Sequence, residues 1–194
     1  KGFLDRVFLP GVSFKLVDGK VTPNLTHIRR LAAVTTYGGT RLRAVLAGDP
    51  PRKSVTRAVW HVCRPDKLRY LALYDMNRVP RPGRPRDGDV LMRALVIYCH
   101  PRDGSFTEAV RDVVVDRLDS AGAELRLRDL YAEGFDPVLS APEHADYEAT
   151  PRNRVPVEAH AADLEWCDTL IFVYPTWWYG LPAMIKGWLD RVML

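Results

Sequence analysis

The sequence predicts an α/β protein built on a parallel β-sheet. Two short, continuously apolar segments, residues 94–98 and 170–174, are typical of strands buried on both faces. Each is followed by a loop and then by a segment with helical spacing, and this alternation favours parallel pairing. The chain has 194 residues, of which 47% are hydrophobic and 27% charged, so one domain with a sizeable core is expected.

The first 77 residues are predicted to supply two further strands. Asp18-Gly19 marks a tight reversal, and the breaker Gly-Asp-Pro-Pro at 48–51 separates two helical pieces. The predicted elements are a helix over 1–9, an extended stretch over 12–21, a strand over 31–36, helical pieces over 41–46 and 54–62, and a strand over 68–74.

A linker is predicted over residues 78–91. Residues 78–89 contain three Pro and two Gly and show no apolar periodicity. The elements predicted after it are a strand over 94–98, a helix over 107–120, a strand over 124–130, a loop over 132–155, a helix over 157–166 and a strand over 170–174. Gly122 is placed as the left-handed cap of the helix over 107–120. With the two strands before the linker, these three complete a sheet of five.

Composition and charge argue against several classes of protein. The formal charge is +4, but much of the basic excess lies in the Arg/Pro-rich run over residues 78–86 and not along a helix face, so no nucleic-acid partner is expected. Cys63, Cys99 and Cys167 are odd in number and lack CxxC spacing, which favours reduced thiols in the cytoplasm. Neither a signal peptide nor a membrane-spanning run is recognisable, and no residues have metal-ligand spacing.

The polar loop over residues 99–106 is a candidate phosphate site. It joins a buried strand to a helix N-terminus, where free backbone N–H groups and the helix dipole favour an anion. His100 lies in the loop, Ser105 and Thr107 add hydroxyl donors, and Arg102 adds charge. An ordinary solvated loop with a helix cap is the alternative. Neither the Walker nor the GxGxxG pattern is present, and no Ser lies in a GxSxG turn.

A second candidate loop follows the strand over 170–174. It contains Trp177, Trp178 and Tyr179 before Gly180, and Pro182 then suits the first turn of a helix. Three consecutive aromatic residues cannot all point inward from one loop, so a surface for a flat ligand is favoured over an aromatic core cluster.

A third loop is expected at the same edge of the sheet. The strand over 31–36 ends in Thr35-Thr36-Tyr37-Gly38-Gly39, and a glycine-rich turn after a parallel strand marks the edge where open α/β sheets bind ligands. Together the three loops would hold a phosphate and a flat ring.

These segments resemble the NAD(P)H quinone oxidoreductase family, flavoproteins with a flavodoxin-like fold that also include the regulatory flavoprotein subunit of potassium efflux systems. The resemblance rests on four segments, which together cover nearly the whole chain: ALVIYCHPRDGSFTEAV, RDLYAEGFDPVLS, FVYPTWWYGLPAMIKGWLDRV and VTTYGG. It implies a flavodoxin-like, doubly wound parallel sheet of five strands.

The resemblance also implies which residues hold a flavin. His100, Ser105 and Phe106 match the loop that takes the flavin phosphate, and Arg102 from the loop analysis joins them. The residues that match the segment along the isoalloxazine ring are Pro175, Thr176, Trp177, Trp178 and Tyr179. The residues that match the turn at the pyrimidine end of the ring are Thr35, Thr36, Gly38 and Gly39.

The implied reaction is hydride transfer from NAD(P)H to the flavin, followed by two-electron reduction of a quinone or similar acceptor. Tyr37 lengthens the Thr-Thr-Gly-Gly turn of the family, and no Tyr and His follow it at the family's spacing. Tyr37 and Tyr179 are therefore the candidate catalytic proton donors, although each could equally form a stacking wall. The sequence leaves open FAD or FMN, NADH or NADPH, and the natural acceptor.

The order of the family segments is unusual. Residues 1–77 resemble the carboxyl-terminal part of the family and residues 92–194 its amino-terminal part, which predicts a circular permutant whose linker joins the old termini. Residues 1–9 also nearly copy residues 186–194, and both cannot occupy one position in the fold. Three explanations are open. One copy docks in the fold while the other frays, the halves swap between the two chains of a homodimer, or the chain is part of a tandem protein. A flavin-binding regulatory subunit and a non-catalytic relative are the competing functions.

Overall fold

The computed structural model describes residues 13–17, 20–37, 41–74, 92–178 and 180–193. Several predictions fall outside these ranges: the helix over 1–9, the linker over 78–91, and the site residues Gly38, Gly39 and Tyr179. They stay predictions.

Five parallel strands form the main sheet, as predicted. They are β3 (Arg30–Tyr37), β4 (Lys67–Tyr74), β5 (Arg93–Tyr98), β6 (Glu124–Asp129) and β7 (Thr169–Thr176), in the spatial order β4-β3-β7-β5-β6. Before them, β1 (Phe14–Val17) and β2 (Lys20–Pro23) pair as an antiparallel hairpin in the stretch predicted to be extended.

The order of the strands agrees with the flavodoxin-like class. If β5, β6, β7, β3 and β4 are numbered 1 to 5 in that sequence, their order across the sheet is 2-1-3-4-5. This is the order of a doubly wound flavodoxin-like sheet. Circular permutation stays a prediction, because strand order does not report how the ends of a chain arose.

Helices follow the strands at the predicted places. They are α1 (Arg41–Leu46), α2 (Pro50–Lys53), a π-helical segment (Ser54–Val59), α3 (Trp60–Cys63), α4 (Phe106–Ser120), α5 (Ala141–Ala145), a 3-10 segment (Arg152–Val157), α6 (Glu158–Trp166) and α7 (Ala183–Val192). The prediction of a loop over 132–155 is wrong at residues 152–155, which belong to the 3-10 segment, and at α5. There Ser140 accepts from the Glu143 backbone N–H and the Glu143 carboxylate accepts from the Ser140 N–H, a capping box that begins the helix.

The core lies on both faces of the sheet. On one face, alternate residues of β3, β5 and β7 pack against the helical stretch 50–63, α6 and α7, and this larger cluster includes Phe172 and Trp188. On the other face, Val96, Ile171 and Val173 pack against α4. Burial on both faces is what the continuous apolar runs predict for a parallel sheet.

His160 lies in the larger core cluster as a neutral imidazole. The Trp188 indole N–H donates to Nδ1 of His160 at 3.2 Å, and the Phe135 ring lies edge-on at 5.0 Å between centroids. Burial, with a smaller contribution from the Arg128 charge, lowers the pKa of His160 from 6.5 to about 4. The folded state therefore resists a proton that the unfolded chain accepts.

As the pH is lowered from about 6.5 to about 4, the free energy of unfolding should consequently decrease, and His160 should contribute about 1–2 kcal/mol to that decrease. In that window the unfolded state binds one proton more than the folded state. Urea unfolding at pH 7, 5.5 and 4.5 measures the slope. His160→Asn, which keeps an acceptor for Trp188, should flatten it, and His61→Asn at an exposed position should not. Equal slopes in the wild type and His160→Asn would contradict the assignment.

Candidate functional site

The three candidate loops begin at one edge of the sheet. In the parallel registers, Tyr37 lies opposite Thr176, Tyr98 lies opposite Val173, and all three strands end there. The loop after β5, the loop after β7 and the turn after β3 therefore start from a common edge. This is where doubly wound sheets bind their ligands.

The loop after β5 presents several donors to this edge. Nδ1 of His100 lies 3.2 Å from the Arg102 backbone N–H and 3.0 Å from the Arg102 carbonyl oxygen, so either neutral tautomer of the ring has a backbone partner there. Ser105 is the N-cap of α4, and its hydroxyl accepts from the Glu108 N–H at 3.0 Å and is also hydrogen-bonded to the Tyr98 phenol. The first-turn N–H groups of Phe106 and Thr107 point out of the helix end. These groups suit a phosphate.

A carboxylate of the protein already occupies part of this helix end. Glu108 accepts from the Gly104 backbone N–H and pairs with Arg111 at 3.1 Å. The positive end of the α4 dipole is therefore partly neutralised by the chain itself. A phosphate at this loop would use His100, Arg102 and Ser105.

The aromatic loop is a tight turn that projects a tryptophan into solvent. Strand β7 continues through Pro175 and Thr176, and the backbone groups of Trp177 and Gly180 then bond to each other at 2.8 and 3.3 Å. Trp178 has a φ of 49°, in the left-handed region, and its side chain is 98% exposed. Strain and apolar exposure at one residue are features of binding sites.

The structure brings the first two loops together. The ring centroids of His100 and Trp177 are 6.1 Å apart, with their planes tilted by 60°. The candidate phosphate loop and the candidate aromatic loop thus lie side by side. A ligand with a phosphate and a flat ring would contact both.

The third loop contributes hydroxyl groups below the edge. Thr35 and Thr36 are buried, and their hydroxyls lie 2.7 Å from the Thr176 hydroxyl and 3.4 Å from the Thr107 hydroxyl, respectively. These contacts tie β3 to β7 and to the first turn of α4. The two threonines therefore position the neighbouring loops, while their side chains are not open to solvent.

Tyr37 is held in a cluster of phenols that the sequence did not predict. Its hydroxyl donates to Oδ1 of Asp49 at 2.5 Å and lies 3.0 Å from the Tyr70 hydroxyl, and its ring stacks on Tyr74 at 4.8 Å. Burial, then the hydrogen bonds to Asp49 and Tyr70, raise the pKa of Tyr37. Asp49 adopts a φ of 45°, so the breaker at 48–51 positions this carboxylate. A role for Tyr37 as proton donor or stacking wall stays a prediction.

Two kinds of feature are absent from the described parts of the chain. Within them, no group of three or more His, Cys, Asp or Glu side chains is placed to hold a metal ion. No helix there combines the length and the apolarity needed to cross a bilayer. The three cysteines are buried and unpaired, and burial raises the pKa of Cys99 and of Cys167 to about 12.

Comparisons with known proteins show what the chain is similar to. Residues 92–194 match the family described as a flavodoxin-like fold. The chain is 35% identical over 118 residues to NAD(P)H dehydrogenase (quinone) 1 of Cavia porcellus, across 53% of this chain and 43% of that protein. It is 34% identical over 102 residues to the uncharacterized NAD(P)H oxidoreductase YcaK of Escherichia coli, across 52% of each.

Among solved structures, an NAD(P)H:quinone oxidoreductase from Methanothermobacter marburgensis aligns with a TM-score of 0.48 at 30% identity, over 53% of each chain. The chain spans about half the length of the curated relatives it matches.

Proposed function

Because the chain belongs to the flavodoxin-like fold family, we propose that it is a flavin-dependent NAD(P)H:quinone oxidoreductase. The relatives named as NAD(P)H dehydrogenases and oxidoreductases support this class of reaction. The observation that carries the proposal is the position of the His100 loop beside the exposed Trp177-Trp178 turn. A flat, phosphate-bearing ligand would stack on this exposed pair of indoles and place its phosphate at the neighbouring loop.

The phosphate of the flavin, as FAD or FMN, is proposed to lie at the loop after β5. It would be bound by the His100 ring, the Arg102 guanidinium, the Ser105 hydroxyl and the first-turn backbone N–H groups of Phe106 and Thr107. The donors are of four kinds and lie around one helix end. The loop therefore fits an anion despite the Glu108 carboxylate nearby.

The ring of the flavin is proposed to lie along the β7 turn. The aromatic segment Pro175, Thr176, Trp177, Trp178 and Tyr179 would line one side of it. The residues proposed for the pyrimidine end are Thr35, Thr36, Gly38 and Gly39. Thr35 and Thr36 act there through the backbone and through their hydrogen bonds to Thr176 and Thr107.

When bound, the flavin would supply the chemistry of hydride acceptance from NAD(P)H and of two-electron reduction of a quinone. The chain's own contribution is to orient the ring, to exclude water from one side of it, and to provide a proton. Tyr37 and Tyr179 are the proposed proton donors. Tyr37 is protonated at neutral pH, because its pKa is raised by burial and by its hydrogen bonds to Asp49 and Tyr70.

The proposal extends to the partners and the compartment. A small quinone is the proposed acceptor, and a homodimer is the proposed assembly, as the resemblance to the quinone oxidoreductases implies. A cytoplasmic location is proposed because the three cysteines are unpaired.

An absorption spectrum of the purified chain tests the proposal. The expected result is a flavin spectrum, after reconstitution with FAD or FMN, that bleaches on anaerobic addition of NADH or NADPH and returns when a quinone is added. Bound flavin that stays oxidised would favour a regulatory subunit. A chain that is folded by circular dichroism but takes up neither flavin would overturn the proposal.

A further inference from the structure

The chain carries two sequences for one helix. Residues 186–194 read KGWLDRVML and form most of α7, whereas residues 1–9 read KGFLDRVFL and lie outside the described ranges. The copies differ only at Phe3/Trp188 and Phe8/Met193. The contacts of α7 therefore show what its binding position, here called the α7 seat, requires of an occupant. The α7 seat is formed by Phe135, Asp136, Pro137, Glu143, His160 and Phe172.

The first requirement of the α7 seat is a glycine. A Cβ atom built on Gly187 would lie 2.2 Å from the Pro137 carbonyl oxygen and 2.3 Å from the Pro137 Cβ. No side chain fits at that distance, because the nearest atom belongs to the backbone. The corresponding residue of the other copy is Gly2.

The second requirement is a cation. Arg191 donates to Oε1 of Glu143 from Nε at 2.9 Å and from Nη2 at 2.5 Å, and its guanidinium lies 5.3 Å from the Phe135 ring centroid. The side chains are only 10% and 14% exposed, so Glu143 would be left unpaired and nearly buried without this partner. Arg6 stands at the corresponding place.

Several further contacts of α7 have a counterpart in the copy. Val192 is fully buried and Leu189 packs against the core, and the counterparts are Val7 and Leu4. On the exposed side, Lys186 pairs with Asp190 one turn later, and Lys1 and Asp5 repeat this spacing. The copy thus retains the pattern of the seat on its apolar face and on its charged face.

The position of Ser13 provides an independent observation. Its hydroxyl donates to the Met193 carbonyl at the end of α7, at 2.5 Å, and Ser13 is fully buried. Only residues 10–12 separate Ser13 from Leu9, the counterpart of Leu194. Ser13, the first described residue, therefore lies where the chain would continue if residues 1–9 occupied the α7 seat.

We propose that residues 1–9 are an alternative occupant of the α7 seat, binding there within the same chain when α7 leaves it. The two occupants are unequal. Phe3 lacks the indole N–H that Trp188 donates to His160, and the buried Ile185 has no counterpart in residues 1–9. Helix α7 is consequently the preferred occupant, and residues 1–9 bind in the α7 seat only when α7 does not.

Valine substitutions at the two glycines test the exchange. Gly187→Val prevents α7 from binding, Gly2→Val prevents the copy from binding, and the double variant prevents both. Thermal unfolding and hydrogen exchange of peptides from residues 1–9 and 183–192 are measured for the full-length chain. Lys1→Val in the Gly187→Val background is the matched control, because its counterpart Lys186 is 58% exposed.

Gly2→Val alone should leave the Tm unchanged to within about 1 °C. Gly187→Val should keep a cooperative transition at a lower Tm, and protection from exchange should move from residues 183–192 to residues 1–9. Only the double variant should lose cooperative unfolding, and Lys1→Val should not reproduce that loss. The proposal is overturned if Gly187→Val is itself unfolded, if Gly2→Val has no effect in its background, or if residues 1–9 stay unprotected there. None of these measurements depends on flavin binding.

Discussion

Replacing Trp178 by glycine is expected to weaken flavin binding about ten- to a hundredfold and to leave the stability of the free protein unchanged or higher. Stacking of a flat heteroaromatic ring on a tryptophan contributes about 1–3 kcal/mol to binding, and that contribution is lost. The free protein loses almost no packing, because the side chain is 98% exposed. A glycine also adopts the φ of 49° without the strain that a tryptophan has there, worth about 1 kcal/mol.

Titration of the reconstituted variants by flavin fluorescence gives the Kd, and thermal unfolding without flavin gives the Tm. Trp60→Ala is the matched control, since that indole is 41% exposed on α3, far along the chain from the β7 turn. It should leave the Kd unchanged. An unchanged Kd for Trp178→Gly would remove Trp178 from the flavin site, and a fall in Tm would show that the turn needs this side chain for folding.

Asp163→Ala is expected to lower the free energy of unfolding by about 3 kcal/mol. The carboxylate is 5% exposed and accepts from Arg126 at 2.7 Å and from Arg128 at 2.5 Å, so that α6 is fixed to the edge strand β6. Without it, Arg126 loses this ion pair and Arg128 keeps only the longer contact with Glu133, at 3.6 Å. Like charges on neighbouring side chains of a strand also repel each other.

Urea denaturation at neutral pH measures this change. Asp66→Ala removes one partner of an ion pair with Arg29 in which both side chains are more than half exposed, and it should cost less than about 0.5 kcal/mol. The difference between the two variants isolates the effect of burial. Similar costs for both would show that Asp163 is no more important than a surface charge.

The strands were predictable from the sequence because burial on both faces leaves contiguous apolar runs. The runs over 94–98 and 170–174 became β5 and β7 almost to the residue. Strand β7 extends further, through Pro175, although proline has no backbone N–H. This is tolerated because β5 does not pair with β7 beyond Val173, so no hydrogen bond to β5 is lost. The short helix α5 was readable as Ser140 followed three residues later by Glu143, a signal that the prediction of a loop passed over.

The candidate site was predictable where it depends on topology and not where it depends on distant side chains. Parallel strands must end at one edge, so the proximity of His100 and Trp177 followed from the strand assignment alone. The bond from Tyr37 to Asp49 depends on how the chain returns after α1, and the one from Thr36 to Thr107 joins two halves of the chain. No periodicity in a single sequence encodes such contacts.

The pairing of β3 with β7 also sets the order in which the sheet can form. It joins Arg30 to Thr169 and ends with Tyr37 beside Thr176, whereas β5 meets β6, and β3 meets β4, after much shorter stretches of chain. Closing a long loop costs conformational entropy before the contacts between its ends can form. Strand pairs far apart in the sequence therefore form late and lower the folding rate. The two outer pairs of strands can therefore assemble first, each on its own. The edge that carries the candidate site is complete only after the last and slowest of these events.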